Sequence, residues 1–177
     1  VQATEADVDA AVAVAVKGYE IWNKTPASER ANALRRLGDL LEDNMDEFIA
    51  LCQREAGKLY SDGVAEVREA VDFCRYYANQ AEETFREGTV LEGRGVFVCI
   101  SPWNFPLAIF LGQVTAALAA GNAVIAKPAE QTSLVAARAA ELILEAGIPG
   151  AAFNLLPGPG RVIGNQLIND PRIAGVA

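Results

Sequence analysis

The sequence of 177 residues contains no histidine, so it lacks the commonest general base and the commonest metal ligand of proteins. Its three cysteines, Cys52, Cys74 and Cys99, are odd in number and have no paired spacing. This pattern predicts free thiols in a reducing compartment, and therefore a cytoplasmic protein without disulfide bonds. Because there is no cysteine cluster either, we expect no metal site.

Long apolar runs are also missing. Gln113, Gly121 and Asn122 interrupt the most apolar stretch, and no run reaches the roughly 18 residues that a membrane span needs. The N-terminus has no basic region followed by an apolar core, so we expect no signal peptide. The net charge of −8 argues against a nucleic-acid partner.

Charge divides the chain into two segments. Residues 1–94 hold 11 basic and 19 acidic side chains and carry the whole net charge, whereas residues 95–177 hold four of each sign. We therefore expect solvated helices in the first segment and a buried sheet with its helices in the second. A polar, glycine-containing connection at 86–95 lies between them.

Apolar residues recur at helical spacing in four stretches of the first segment. Thr4 and Asp7 form a capping-box pattern before the first stretch, and Trp22 at its end is expected in the core. Cys52 and Cys74 fall on apolar stripes, which favours packing over reactivity. The predicted helices begin near Thr4, Pro26, Asp46 and Ser61.

Gly57 is predicted to end the third helix. The charged residues around it, Arg54, Glu55 and Lys58, are interpreted as a solvated helix end.

Strands alternate with helices in the second segment, which predicts an α/β fold with a Rossmann-like parallel sheet and helices on both faces. The chain ends inside an apolar strand, so we expect a piece of a longer protein. Thr132 is predicted to cap a helix, and Gly121 and Gly147 are predicted to end helices. The predicted strands are 95–100, 123–126, 152–156 and 173–176, and the predicted helices are 107–120, 132–146 and 162–168.

Three turns follow these strands, at the edge where open α/β sheets bind ligands. Asn104 lies in the first turn between two prolines, and its amide could donate to a developing oxyanion or bond its own backbone. Lys127 and Glu130 in the second could grip a ribose or form an ordinary surface pair. The glycines of the third, GPGRVIG at 158–164, fit a nucleotide site and ordinary turn chemistry about equally.

Together, SPWNFP at 101–106, AGNAVIAKPAEQT at 120–132 and LPGPGRVIG at 156–164 resemble the N-terminal cofactor-binding region of the aldehyde dehydrogenase superfamily. Two longer stretches, AEVREAVDFCRYYA at 65–78 and the run from 92 to 122, resemble the branch that oxidises glutamate γ-semialdehyde. Within that branch, the chain is most similar to the dehydrogenase half of bifunctional proline-utilisation flavoproteins. The resemblance extends over nearly the whole chain.

The resemblance implies a role for residues of each turn. Asn104 would be the catalytic amide of the oxyanion hole, and Lys127 and Glu130 would bind the adenosine ribose of NAD. Residues 1–94 would form a helical segment packing on the cofactor domain, of which 95–177 would be the first part. The remaining residues expected to contact NAD are Ile100, Ser101, Pro102, Trp103, Ala129, Gly160, Gly164 and Asn165.

In this family a cysteine thiolate attacks the aldehyde, the adduct gives hydride to NAD, and a glutamate-activated water releases the acid. None of the three cysteines has the nucleophile's context, and Glu130 matches the ribose position rather than the base. The catalytic cysteine, glutamate and catalytic domain would lie beyond Ala177, so the segment alone is not expected to turn over.

The resemblance also implies a homo-oligomeric parent protein acting on a small aldehyde. It implies FAD, and membrane association of the parent, only if a proline dehydrogenase domain precedes this segment. Two alternatives remain open: a non-catalytic nucleotide-binding or interaction module of the same fold, and a reductase of an acyl phosphate or acyl-CoA.

Overall fold

The protein, seen in a computed structural model, is described at residues 2–86 and 88–177. Four helices form the first segment, and two of them begin one residue earlier than predicted. The capping box is confirmed, because the Asp7 backbone N–H donates to Thr4 Oγ1 at 3.3 Å and the Thr4 N–H donates to Asp7 Oδ2 at 2.8 Å. The helices are α1 (Glu5–Trp22), α2 (Ala27–Asp43), α3 (Met45–Ala56) and α4 (Tyr60–Thr84).

The second segment alternates strands and helices as predicted. Its four strands form one parallel sheet in the order β3-β2-β1-β4. The predicted connection at 86–95 includes residue 87, which lies outside the described residues; its described part holds no helix or strand. The elements are β1 (Val96–Ile100), α5 (Ala108–Ala119), β2 (Ala123–Lys127), a 3₁₀ turn (Glu130–Thr132), α6 (Ser133–Glu145), β3 (Phe153–Leu155), a π-helical turn (Gly160–Gly164), α7 (Asn165–Asn169) and β4 (Ile173–Val176).

Two of these elements differ from the prediction. Strand β2 includes Lys127, which we expected in the following turn. The single helix expected at 162–168 is instead a π-helical turn followed by the short α7. Gly57, Gly121 and Gly147 follow helices with φ of 64°, 85° and 95°, and this left-handed conformation explains why glycine ends them.

The central strands β1 and β2 are buried on both faces, as expected of a parallel sheet, whereas the edge strand β4 is partly exposed. Val98 and Ile125 point to one face, where they pack with residues of α1 and α7. Val124 and Ala126 point to the other, where α2 to α6 build the larger core. Trp22 belongs to that larger core as predicted, and its indole N–H donates to the Leu118 carbonyl at 2.9 Å.

Side chains of the helical segment cap both ends of α5. The Glu66 carboxylate on α4 accepts from the backbone N–H groups of Leu107 and Ala108, at 3.2 and 2.9 Å. At the other end, the buried Arg30 guanidinium on α2 donates to the Ala119 carbonyl at 3.1 Å. Each charge has the sign that the helix dipole favours at that end.

Helix α6 is capped in the same way. Glu55 on α3 accepts from the N–H groups of Leu134 and Val135 at 3.0 and 2.8 Å, and Arg36 on α2 donates to the Ala146 carbonyl at 2.9 Å. Thr132 occupies the N-cap position, but its side chain makes no capping hydrogen bond. The interpretation of Glu55 as part of a solvated helix end is therefore wrong, because its carboxylate caps another helix.

Among the described residues, no helix combines the length and the apolar character that crossing a membrane requires. Within the same residues, no group of three or more metal-ligating side chains is present.

Candidate functional site

The three turns of interest meet at one edge of the sheet. Strands β1, β2 and β3 are neighbours and run parallel, so their carboxyl ends lie side by side. Ile100 at the end of β1 is the register partner of Lys127 at the end of β2, and both point to the face that holds α1 and α7. The Ser101 N–H donates to the Lys127 carbonyl at 3.3 Å, which ties the first turn to the second.

Lys127 is a buried cation with few partners. The residue is only 4% exposed, and its ammonium donates to the Pro128 carbonyl at 2.8 Å. Burial lowers the pKa of Lys127, and the charge of Glu130 opposes that shift. An ammonium has three N–H donors, and two of them have no acceptor among the described residues, so they are available to a ligand. The alternative of an ordinary surface pair is wrong for Lys127, because it is buried and forms no ion pair with Glu130 in the described structure.

Glu130 is held in place by the third turn. Its Oε1 atom accepts from the Gly160 backbone N–H at 3.0 Å, and the side chain is exposed. One carboxylate oxygen is thereby fixed, and the other makes no hydrogen bond to the described residues. A ligand hydroxyl beside Lys127 would find an acceptor here and donors on the ammonium.

The glycines of the third turn have different roles. A β-carbon at Gly158 would lie 2.8 Å from Ile163, so packing within the turn requires glycine there. At Gly160 and Gly164, a β-carbon would lie 3.7 and 3.9 Å from the Lys127 stem, which is ordinary contact distance. Protein packing alone does not require those two glycines, and their absence of side chains leaves the approach to Lys127 open.

Asn104 lies in the turn after β1 with its side chain exposed. Its amide makes no hydrogen bond to any residue that the structure describes, so the predicted alternative of an amide bonded to its own backbone is not observed. Trp103 beside it is 53% exposed, and Pro102 is half-buried. The amide is thus free to meet a ligand from solvent.

Two other predicted residues are engaged locally. The Ala129 carbonyl accepts from the Thr132 N–H at 3.2 Å within the 3₁₀ turn. The Asn165 amide donates to the Arg161 carbonyl at 2.8 Å. Contacts join six of the predicted site residues into one group: Ile100, Ser101, Lys127, Glu130, Gly160 and Gly164. The side chains of Asn104 and Asn165 make no hydrogen bond with that group.

Sequence reasoning missed Glu66, which lies next to the Asn104 turn. The interpretation of Lys58 as part of a solvated helix end is wrong, because its side chain is mostly buried and pairs with Glu66. Glu66 is 2% exposed, and its Oε1 atom lies 2.8 Å from Lys58 Nζ. A signal was present in the sequence, because Glu66 stands on the buried stripe of α4 with Val67 and Ala70. A carboxylate on an apolar stripe needs a partner, and here the partners are a cation and a helix terminus.

An apolar cavity lies elsewhere. A cavity of about 530 Å³ lies against α4 and α5, and its lining includes Phe73, Tyr77 and Phe97. Its lining contains none of the predicted site residues and no charged side chain. The polar groups at the sheet edge are therefore the better candidate site.

The cysteines are placed for packing rather than reaction. Cys52, Cys74 and Cys99 are all buried, and desolvation raises the pKa of each thiol to about 12. Since the thiolate is the nucleophile, these side chains are poorly suited to attack an aldehyde.

We expect none of the three thiols to react with a disulfide reagent such as Ellman's reagent in the folded chain at pH 8, because burial keeps them protonated and inaccessible. Absorbance would report no release of the coloured thiolate in buffer and three equivalents in denaturant. Rapid release of even one equivalent in buffer would contradict the assignment of all three thiols to packing.

Comparison with known proteins finds a family match over the whole chain. The sequence matches the family described as "Aldehyde dehydrogenase family" over residues 1–177. It is 54% identical to the bifunctional protein PutA of Salmonella typhimurium over 175 residues, which cover 99% of this chain and 13% of that protein. The chain thus spans about an eighth of that relative's length.

Two solved structures superpose closely on this chain. A crystal structure of a variant of proline utilization A (PutA) from Bradyrhizobium japonicum is 53% identical and superposes with a TM-score of 0.95, covering 99% of this chain and 19% of that one. The 1-pyrroline-5-carboxylate dehydrogenase from Thermus with bound NAD is 34% identical with a TM-score of 0.95, covering 99% of this chain and 36% of that one.

Proposed function

Since the chain belongs to the aldehyde dehydrogenase family, we propose that it is the N-terminal NAD-binding portion of an NAD-dependent dehydrogenase that oxidises L-glutamate γ-semialdehyde to glutamate. Residues 1–94 form the helical layer that packs on the cofactor domain, and residues 95–177 form the first part of that domain. The substrate follows from the names of the relatives, which are PutA and 1-pyrroline-5-carboxylate dehydrogenases.

The observation that carries the proposal is the pairing of Lys127 with Glu130. A buried ammonium with two unused donors lies beside a carboxylate that the Gly160 N–H holds. The two hydroxyls of a ribose need donors and acceptors in this arrangement. The open approach at Gly160 and Gly164 gives a nucleoside room beside Lys127. The residues present therefore fit NAD.

Each remaining site residue has a part in this proposal. Ile100, Ser101, Pro102 and Trp103 line the cleft beside the cofactor, while Ala129 and Asn165 border the adenosine. The exposed Asn104 amide donates to the oxygen of the aldehyde as negative charge develops there. NAD held by these residues would supply the acceptor for the hydride. The cysteine nucleophile is not one of the three buried thiols of this chain.

Glu130 also favours NAD over NADP. A carboxylate near the ribose repels a 2′-phosphate, and two charges about 4 Å apart in water repel by about 1 kcal/mol. This repulsion makes NADP bind about fivefold more weakly than NAD. No residue of this chain is assigned to FAD, which would belong to a proline dehydrogenase part if the same protein has one.

Calorimetric titration of the chain with NAD, adenosine and NADP tests the proposal. We expect NAD and adenosine to bind, NADP to bind about fivefold more weakly, and no NADH to form when glutamate γ-semialdehyde is added. In the longer protein that carries this segment, we expect the same addition to produce NADH. If NAD at millimolar concentration gives no binding signal and the longer protein produces no NADH, the proposed function is wrong.

A further inference from the structure

We propose that Glu66 and Lys58 are positioning residues for Asn104, forming a buried ion pair that fixes the turn from Pro102 to Pro106. The inference rests on the proposed function, because it takes the Asn104 amide as the donor to the developing oxyanion. Neither residue touches the reacting atoms. Their effect passes through the backbone that carries the amide.

Glu66 closes the turn on its C-terminal side. Its Oε2 atom accepts from the N–H groups of Leu107 and Ala108, which directly follow Pro106. Carboxylate hydrogen bonds to backbone N–H groups at a helix start are charge-assisted and stronger than neutral ones. The point where the turn enters α5 is therefore tied to α4, 41 residues earlier in the sequence.

Lys58 connects this cap to the turn itself. Its ammonium lies 2.8 Å from Glu66 Oε1 and 4.2 Å from the centre of the Phe105 ring. Phe105 is the residue next to Asn104, so one cation contacts both the cap and the turn. Attraction between an ammonium and an aromatic face is strongest where water is excluded, and the Lys58 side chain is only 15% exposed.

The Asn104 amide has no other support in the described structure, where it makes no hydrogen bond. On the N-terminal side, Ser101 is tied to Lys127 through the backbone. The direction of the amide is thus set by where the two ends of the turn are held. A buried ion pair often adds little to stability, because desolvating both charges offsets their attraction. We infer that this one instead fixes the turn geometry.

The test uses the longer dehydrogenase that carries this segment, with Glu66→Gln and Lys58→Met. A misplacement of about 1 Å of a catalytic group can cost about 100-fold in rate. Because the loosened turn still keeps the Asn104 amide near the substrate, we expect a smaller loss of kcat, about tenfold, in each variant. The KM for NAD should stay within about twofold, because Lys127 and Glu130, the residues assigned to the ribose, lie outside the turn from Pro102 to Pro106. Lys58→Arg keeps the charge and the aromatic contact, and should restore most of kcat.

Two control variants separate positioning from other effects. Glu69→Gln removes a carboxylate from the exposed face of the same helix and should leave kcat unchanged. Glu55→Gln weakens the matched cap on α6, so it should lower the melting temperature while kcat at saturating NAD is kept. Rates are compared at a temperature where every variant is folded.

The outcomes are distinct. If Glu66→Gln and Lys58→Met keep the wild-type kcat, or lose no more of it than Glu55→Gln does, the pair is merely structural and the inference is wrong. If Glu66→Gln does not fold, the comparison of Lys58→Met with Lys58→Arg decides alone. If the unmutated protein produces no NADH, the proposed function itself fails, and the positioning role falls with it.

Discussion

We expect Asn104→Ala to lower kcat of the dehydrogenase that carries this segment about 100- to 1,000-fold, the loss typical of removing one oxyanion donor. The amide is exposed and makes no hydrogen bond to the described residues, so its removal leaves no unsatisfied partner behind. The melting temperature should therefore stay at its wild-type value. Steady-state NADH formation and thermal unfolding of the same preparation measure both quantities.

Asn104→Asp is the matched variant for this experiment. It keeps the size of the side chain but replaces the donor by a negatively charged acceptor, so kcat should fall at least as far as in the alanine variant. The KM for NAD should change little in either, because an interaction made only in the transition state affects kcat rather than ground-state binding. A kcat within threefold of wild type in both variants would show that Asn104 is an ordinary turn residue and not an oxyanion donor.

The second large effect is expected at Lys127. Lys127→Met should weaken NAD binding to the chain at least about 100-fold, because it removes two hydrogen bonds from a charged donor that are worth about 1.5–3 kcal/mol each. The same change should not lower the free energy of unfolding. The buried ammonium has one protein acceptor and is costly to desolvate, whereas methionine fills a similar volume and needs no partner.

Calorimetry measures the affinity for NAD, and urea denaturation measures the free energy of unfolding. The pH dependence of the free energy of unfolding gives a control. Burial lowers the pKa of Lys127 in the folded chain from the ordinary value of 10.5, so the unfolded chain binds more protons between the lowered pKa and 10.5. In that window the wild-type free energy of unfolding rises with pH relative to the methionine variant. If the variant is instead less stable at neutral pH, Lys127 is a structural residue and its assignment to the ribose loses its main support.

Local patterns in the sequence predict most of the fold. The capping box at Thr4, the glycine stops at Gly57, Gly121 and Gly147, and the alternation of strands and helices depend on residues within a few positions of one another. The π-helical turn at Gly160–Gly164 was missed, because apolar spacing alone does not distinguish it from the first turn of an α-helix.

The caps of α5 and α6 were missed for a different reason. Their partners lie far apart in the sequence, 89 residues for Arg30 with Ala119 and 110 for Arg36 with Ala146. Still, Arg30 stands on the stripe of Leu34, Leu37 and Leu41, as Glu66 does on the stripe of α4. A single charge on an apolar stripe was thus a usable sign that another part of the chain completes it.

The candidate site was predictable in composition but not in geometry. The sequence places Lys127, Glu130 and the glycines after neighbouring strands, so their meeting follows from a parallel sheet. That the Lys127 ammonium is buried with one acceptor, and that Gly160 fixes Glu130, depends on side-chain contacts across three turns. Those contacts favour the proposed ribose site over an ordinary surface pair.

The caps that side chains of α2, α3 and α4 place on α5 and α6 have a consequence for how the chain unfolds locally. Arg30 and Arg36 on α2 hold the C-terminal ends of α5 and α6, and Glu66 and Glu55 hold the other ends. Neither helix is able to fray from its ends while the helical layer stays docked. Amide protons in α5 and α6 should therefore exchange with solvent only when layer and sheet separate together, as one cooperative unit rather than as two segments joined in sequence.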